Sequence, residues 1–80
     1  MTMREWTQIA NEWTATGCTT YVYLDTAHDS ATFNPERPYV VATTEHGEPT
    51  GEDGRYETFP TLRAALSRAS FRHDERTGAL

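Results

Sequence analysis

Only eleven of the 80 residues are Leu, Ile, Val or Phe. A core with so few aliphatic side chains is thin, and with a net charge of −5 the balance approaches that of chains too polar to fold. Aromatic residues push the other way: two Trp, four Tyr and three Phe, each able to bury roughly 150–250 Å². Any fold must therefore be organised around the aromatic and β-branched positions. The length allows one small domain over residues 1–80. It excludes the dinucleotide-binding and barrel enzymes, which need far more chain.

Periodicity divides the chain into five expected elements. Thr2-Met3-Arg4-Glu5 fits a capping box, and Trp6, Ile9, Ala10 and Trp13 follow at i, i+3, i+4 and i+7. That spacing predicts a helix over 2–16, with Gly17 as its stop. Residues 18–25, with Tyr21-Val22-Tyr23-Leu24 at their centre, read as a strand. Thr20, Val22 and Leu24 line one face of it, and Thr19, Tyr21 and Tyr23 the other. A polar loop over 26–37 contains Asn34-Pro35 and ends at Arg37-Pro38. Strands are expected at 39–44 and 55–59, joined by a turn rich in glycine. Pro60 stops the last strand, and Thr61 caps a helix over 61–73 marked by Leu62, Ala65, Leu66 and Ala69. Residues 74–80 read as a frayed tail. The expected fold is α+β in the order α-β-β-β-α. It is a two-layer sandwich, with a three-stranded antiparallel sheet and two helices packed on one face.

Several chemistries are poorly supplied. Cys18 is the one cysteine, so no internal disulfide forms. It lacks a nearby base in sequence and reads as a small hydrophobe. Ser30 follows His28-Asp29, but adjacency in sequence is not triad geometry. Asp25, His28 and Asp29, and likewise Glu45, His46 and Glu48, each offer a few metal-ligand atoms without a metal-binding spacing. The glycines at 47, 51 and 54 are interleaved with acids that repel phosphate. The reading is of a non-enzyme with no metal and no cofactor. No run of 18 apolar residues is present and residues 1–6 lack an apolar signal core, which points to a cytoplasmic protein with no membrane partner.

Two surfaces stand out. Acids concentrate on the two long connections: Asp25, Asp29 and Glu36 on the first, Glu45, Glu48, Glu52 and Asp53 on the second. If both connections lie at one end of the sheet, these seven form an acidic arc suited to a basic surface. Tyr21 and Tyr23, joined by Tyr56 if the register allows, form an aromatic patch on the uncovered sheet face. A counter-signal is the stripe Arg68, Arg72 and Arg76 on the last helix.

This small, acidic, motif-poor profile resembles, as a class, the inhibitors encoded by phages and mobile elements, anti-CRISPR proteins among them. The likeness implies a nucleic-acid mimic that blocks a basic, nucleic-acid-binding surface of a larger protein or nucleoprotein complex. Such a protein would make no direct nucleic-acid contact and would act as a monomer or homodimer. The second reading is a regulatory or self-associating module that contacts nucleic acid through the arginine stripe. The third is a small ligand-binding or enzymatic domain using His28, Asp29 and His46.

Overall fold

The computed structural model describes residues 4–29 and 33–78. Five strands form one antiparallel meander in the order β1-β2-β3-β4-β5. They are β1 (Thr7–Ile9), β2 (Glu12–Thr14), β3 (Thr20–Leu24), β4 (Tyr39–Thr43) and β5 (Glu57–Phe59). A single helix, α1 (Leu62–Thr77), packs on one face against β3, β4 and β5. The fold is α+β, but among the described residues it has a five-stranded sheet rather than a three-stranded one, and one α-helix rather than two.

The N-terminal segment accounts for the difference. The helix expected over 2–16 is a β-hairpin along residues 7–14; Thr2, the expected cap, falls outside the described residues, and Glu5 is not helical. Ala10 takes a positive φ of 54° in the two-residue turn. The Asn11 carbonyl accepts from the Leu24 amide at 2.8 Å, and its side chain donates to the Leu24 carbonyl at 2.9 Å. β2 thereby satisfies the edge of β3, whose outward amides would otherwise lack partners. The helical spacing was coincidental. Trp6 and Trp13 do pack on the core, but Ile9 is 66% exposed, so the four residues share no buried stripe. Thr7, Trp13 and Thr14 also favour strands over helices.

Two cross-strand rows define the faces. Gln8, Trp13, Val22, Val41 and Glu57 run across all five strands on the helix side. Ile9, Glu12, Tyr23, Val40 and Thr58 run across the opposite face. The core is the contact of Val22 and Val41 with Ala65 and Ala69, all fully buried, with Trp6, Trp13, Tyr39, Phe59, Leu62 and Leu66 around them. Two alanines on one helical stripe let α1 approach the sheet closely, which is how a chain with few aliphatics closes its interior. Thr20 and Thr43 are also buried; the Thr20 hydroxyl donates to the Ala69 carbonyl at 2.5 Å.

The helix starts where Thr61 Oγ1 accepts the Ala64 amide at 3.2 Å. It runs past the expected end at residue 73 to Thr77 and closes on Gly78, whose φ of 76° is left-handed. Residues 74–77 of the expected tail are thus helical, and residues 79 and 80 lie outside the described residues; contacts from the N-terminal half reach this end of the helix. Arg4 bonds Ser70 and Asp74, and His73 Nδ1 accepts the Thr19 amide at 3.0 Å.

β4 and β5 are joined in two stages. The strand first folds back so that Thr43 donates to the Glu48 carbonyl at 2.9 Å and Ala42 faces Pro49. The chain then leaves the edge, makes a single 3-10 turn at Glu52–Gly54, and re-enters as β5. Gly51 closes the excursion by donating to the Arg55 carbonyl, and a Cβ there would lie 2.5 Å from that oxygen. Gly51→Ala is therefore expected to lower stability by about 1–2 kcal/mol, measured by urea unfolding. An unchanged midpoint would show that this approach relaxes freely.

Candidate functional site: a tyrosine face without its own cations

The sheet face opposite α1 is floored by two small buried side chains, Val40 and Ala42. In register, Tyr21 pairs with Ala42 and Tyr23 with Val40, so the tyrosines stand over this floor. Their ring centroids lie 5.9 Å apart at a 33° tilt. Tyr56 joins them from the far side, its hydroxyl donating to the Gly47 carbonyl at 2.6 Å. The hairpin turn at Gly47 also comes close to the Tyr21 hydroxyl. The aromatic patch anticipated from Tyr21 and Tyr23 is thus one cluster of three phenols.

Glu12 is the residue that sequence reasoning missed. It sits directly opposite Tyr23 on the same face. Its placement was hidden because it fell inside the expected helix. Burial, then the Glu12 carboxylate and Tyr56, push the Tyr21 phenol above its ordinary value. Burial, then Tyr56, Tyr21 and Asp25, do the same for Tyr23. Both phenols are therefore neutral at physiological pH, with hydroxyls free to donate and ring faces that attract cations.

The seven acids do not form one arc. Successive connections of a meander lie at opposite ends of the sheet. Asp25, Asp29 and Glu36 lie on the β3–β4 connection, while Glu45 and Glu48 lie on the turn at the other end. Glu52 and Asp53 project from the excursion beside β5. The condition for a single arc is not met; instead, acids lie beyond both ends of the tyrosine face. The same separation keeps Asp25, His28 and Asp29 away from Glu45, His46 and Glu48. Among the described residues no group of three candidate metal ligands converges. Asp25 accepts the Ala27 amide at 2.9 Å, and His28 packs edge-on against Phe33. Cys18 is buried, its Sγ 3.5 Å from the Thr20 hydroxyl. Ser30 lies outside the described residues.

Charge is segregated between the two faces. Every ion pair among the described residues lies on the helix side. Glu57 points toward α1 and accepts from Arg72 Nε at 2.7 Å, with Arg68 at 3.5 Å. Arg72 also reaches Glu75 at 2.9 Å. Burial alone would raise the Glu57 carboxyl, but hydrogen bonds from Arg72 and Thr50, with the charges of Arg72 and Arg68, outweigh it and hold it below its ordinary value. Two members of the arginine stripe on α1, Arg68 and Arg72, are thus paired from within. Arg37, on the loop, donates to the Thr58 carbonyl at 2.7 Å. By the alternation of the β4–β5 ladder this carbonyl faces outward, so Arg37 covers the sheet edge there. The acids outside Glu57, Asp74 and Glu75 have no ion-pair partner among the described residues.

Also among the described residues, no helix is long and apolar enough to cross a membrane. No protein-family model matches the chain, and no curated protein or solved structure matches it.

Proposed function

We propose that the protein is a non-catalytic binding module that docks through its tyrosine face on a basic, nucleic-acid-binding surface of a larger protein and blocks it. The observation that carries this reading is the charge segregation. Arg4, Arg68 and Arg72 are held in internal pairs on the helix side, while unpaired acids lie beyond both ends of a half-exposed aromatic face over which no arginine stacks among the described residues. Tyrosines supply a large, rigid contact area with polar tips, and the acids supply steering and register. Inhibitors of the phage and mobile-element kind work by such occupation, and that is the mode of action proposed. Direct nucleic-acid binding through α1 is disfavoured, because Arg72 and Arg68 already hold Glu57.

The test has two stages. Tagged protein is used to capture partners from a nuclease-treated bacterial lysate, with washes at about 100 and 500 mM salt. The captured complex is then assayed for nucleic-acid binding with added wild type or with the combined Glu48→Lys, Glu52→Lys and Asp53→Lys variant. Wild type should displace the nucleic acid, and the variant should be at least about tenfold weaker. Equal potency of the two, or a complex that keeps its nucleic acid, overturns the reading.

A further inference from the structure

The helix side contains a complete arginine site made by the chain itself. The guanidinium of Arg68 lies 5.2 Å from the centre of the Phe71 ring, and that of Arg72 lies 5.8 Å from it. Glu57 closes the set by accepting from Arg72 at 2.7 Å. An aromatic face, a carboxylate and a planar cation satisfy one another there.

The opposite face holds the first two parts of the same set without the third. Tyr21 and Tyr23 present neighbouring rings, Tyr56 stands beside them, and Glu12 is the cross-strand partner of Tyr23. Among the described residues no arginine lies over these rings and none pairs with Glu12. The chain has no lysine to supply a cation.

We propose that this face is a receptor site for an arginine side chain of the partner, its guanidinium stacked on Tyr21 and Tyr23 and hydrogen-bonded to Glu12. The inference rests on the docking reading above and specifies its central contact. Arginine fits better than lysine for a physical reason. Guanidinium is planar and weakly hydrated, so it stacks on a ring while its edge donors meet a carboxylate. Ammonium is a strongly hydrated point charge that gains less from a ring face. The neutral phenols keep the ring faces attractive to a cation, and the floor of Val40 and Ala42 keeps water from beneath them.

The experiment uses labelled oligo-arginine and oligo-lysine peptides of equal length, titrated by fluorescence anisotropy at near-physiological salt. Wild type should bind oligo-arginine about tenfold more tightly than oligo-lysine. Tyr23→Leu and Glu12→Gln should each bring oligo-arginine down toward the oligo-lysine level and move oligo-lysine much less. Tyr23→Phe keeps the ring and should keep the preference, so it serves as the control if Tyr23→Leu loosens the sheet. The Glu48→Lys, Glu52→Lys, Asp53→Lys variant should weaken both peptides alike. Equal affinity of wild type for the two peptides, with both weakened by the triple variant, overturns the arginine site and leaves acidic docking standing. Binding of neither peptide overturns both. An arginine preference that survives Tyr23→Leu and Glu12→Gln in folded protein overturns this placement of it.

Discussion

Val22→Asp should abolish cooperative folding. Val22 is fully buried and faces Val41, Ala65 and Ala69 at the one point where sheet and helix close on each other. Losing its apolar burial costs about 1.5–3 kcal/mol. A carboxylate without a partner there adds several kcal/mol more, whether it stays charged or takes up a proton. A domain of this size has only about 4–12 kcal/mol to lose. Circular dichroism during urea titration should show no unfolding transition. Ile9→Asp is the matched control, since Ile9 lies on the same sheet but on the uncovered face and is 66% exposed. It should cost less than about 1 kcal/mol. If the two variants were equally stable, the assignment of the covered face would be wrong.

The second large effect is expected at Glu57. This carboxylate is the Val41 partner in the core row, yet it is charged and holds Arg72 and Arg68 against the sheet. Glu57→Gln leaves the Arg72 guanidinium, only 17% exposed, with its main partner neutral. Breaking such a pair from one side is costly, and the part that water still reaches moderates the loss to about 2–3 kcal/mol. The pH dependence has a definite sign. The folded-state carboxyl is held below its ordinary value of 4.5, so its stabilisation is fully present above that pH and is lost as the pH falls through the lower folded value. Wild type should therefore lose stability on acidification below about pH 4.5. In Glu57→Gln this part of the acid limb should be missing, leaving a flatter profile from a lower plateau. Thermal melts across acidic pH would read both effects, and parallel curves for the two proteins would refute the assignment.

Glu57 also shows where sequence reading stops. In the linear chain it follows Glu52 and Asp53 closely, and nothing local marks it off from them. In the fold it points toward α1 and pairs with Arg72 and Arg68 there. Alternation along β5 settles this: Glu57 and Phe59 share the helix side, while Thr58 faces outward with Val40. The same alternation placed Tyr21 and Tyr23 together in the sequence, because two residues apart in a strand means one face whatever the strand pairs with. Glu12 could not be placed in this way until its segment was known to be a strand.

What the sequence by itself determined is local. The run Tyr21-Val22-Tyr23-Leu24 and the run Tyr39-Val40-Val41 allow little but strand, and Thr61 followed by Leu62, Ala65, Leu66 and Ala69 specifies a helix and its start. Propensity and periodicity agree at those places, so no distant contact was needed to decide them. The N-terminal segment was decided only by tertiary structure. Trp6, Ile9, Ala10 and Trp13 fit a helical period, but the free edge of β3 offered unpaired amides and a seat for Trp13 beside Val22. Tertiary structure alone also separated the acids into distinct groups and matched the helical arginines to Glu57. These outcomes depend on which end of the sheet a connection occupies and which face a side chain takes. Both follow from strand order and register, quantities that exist only once strands far apart in the chain have paired.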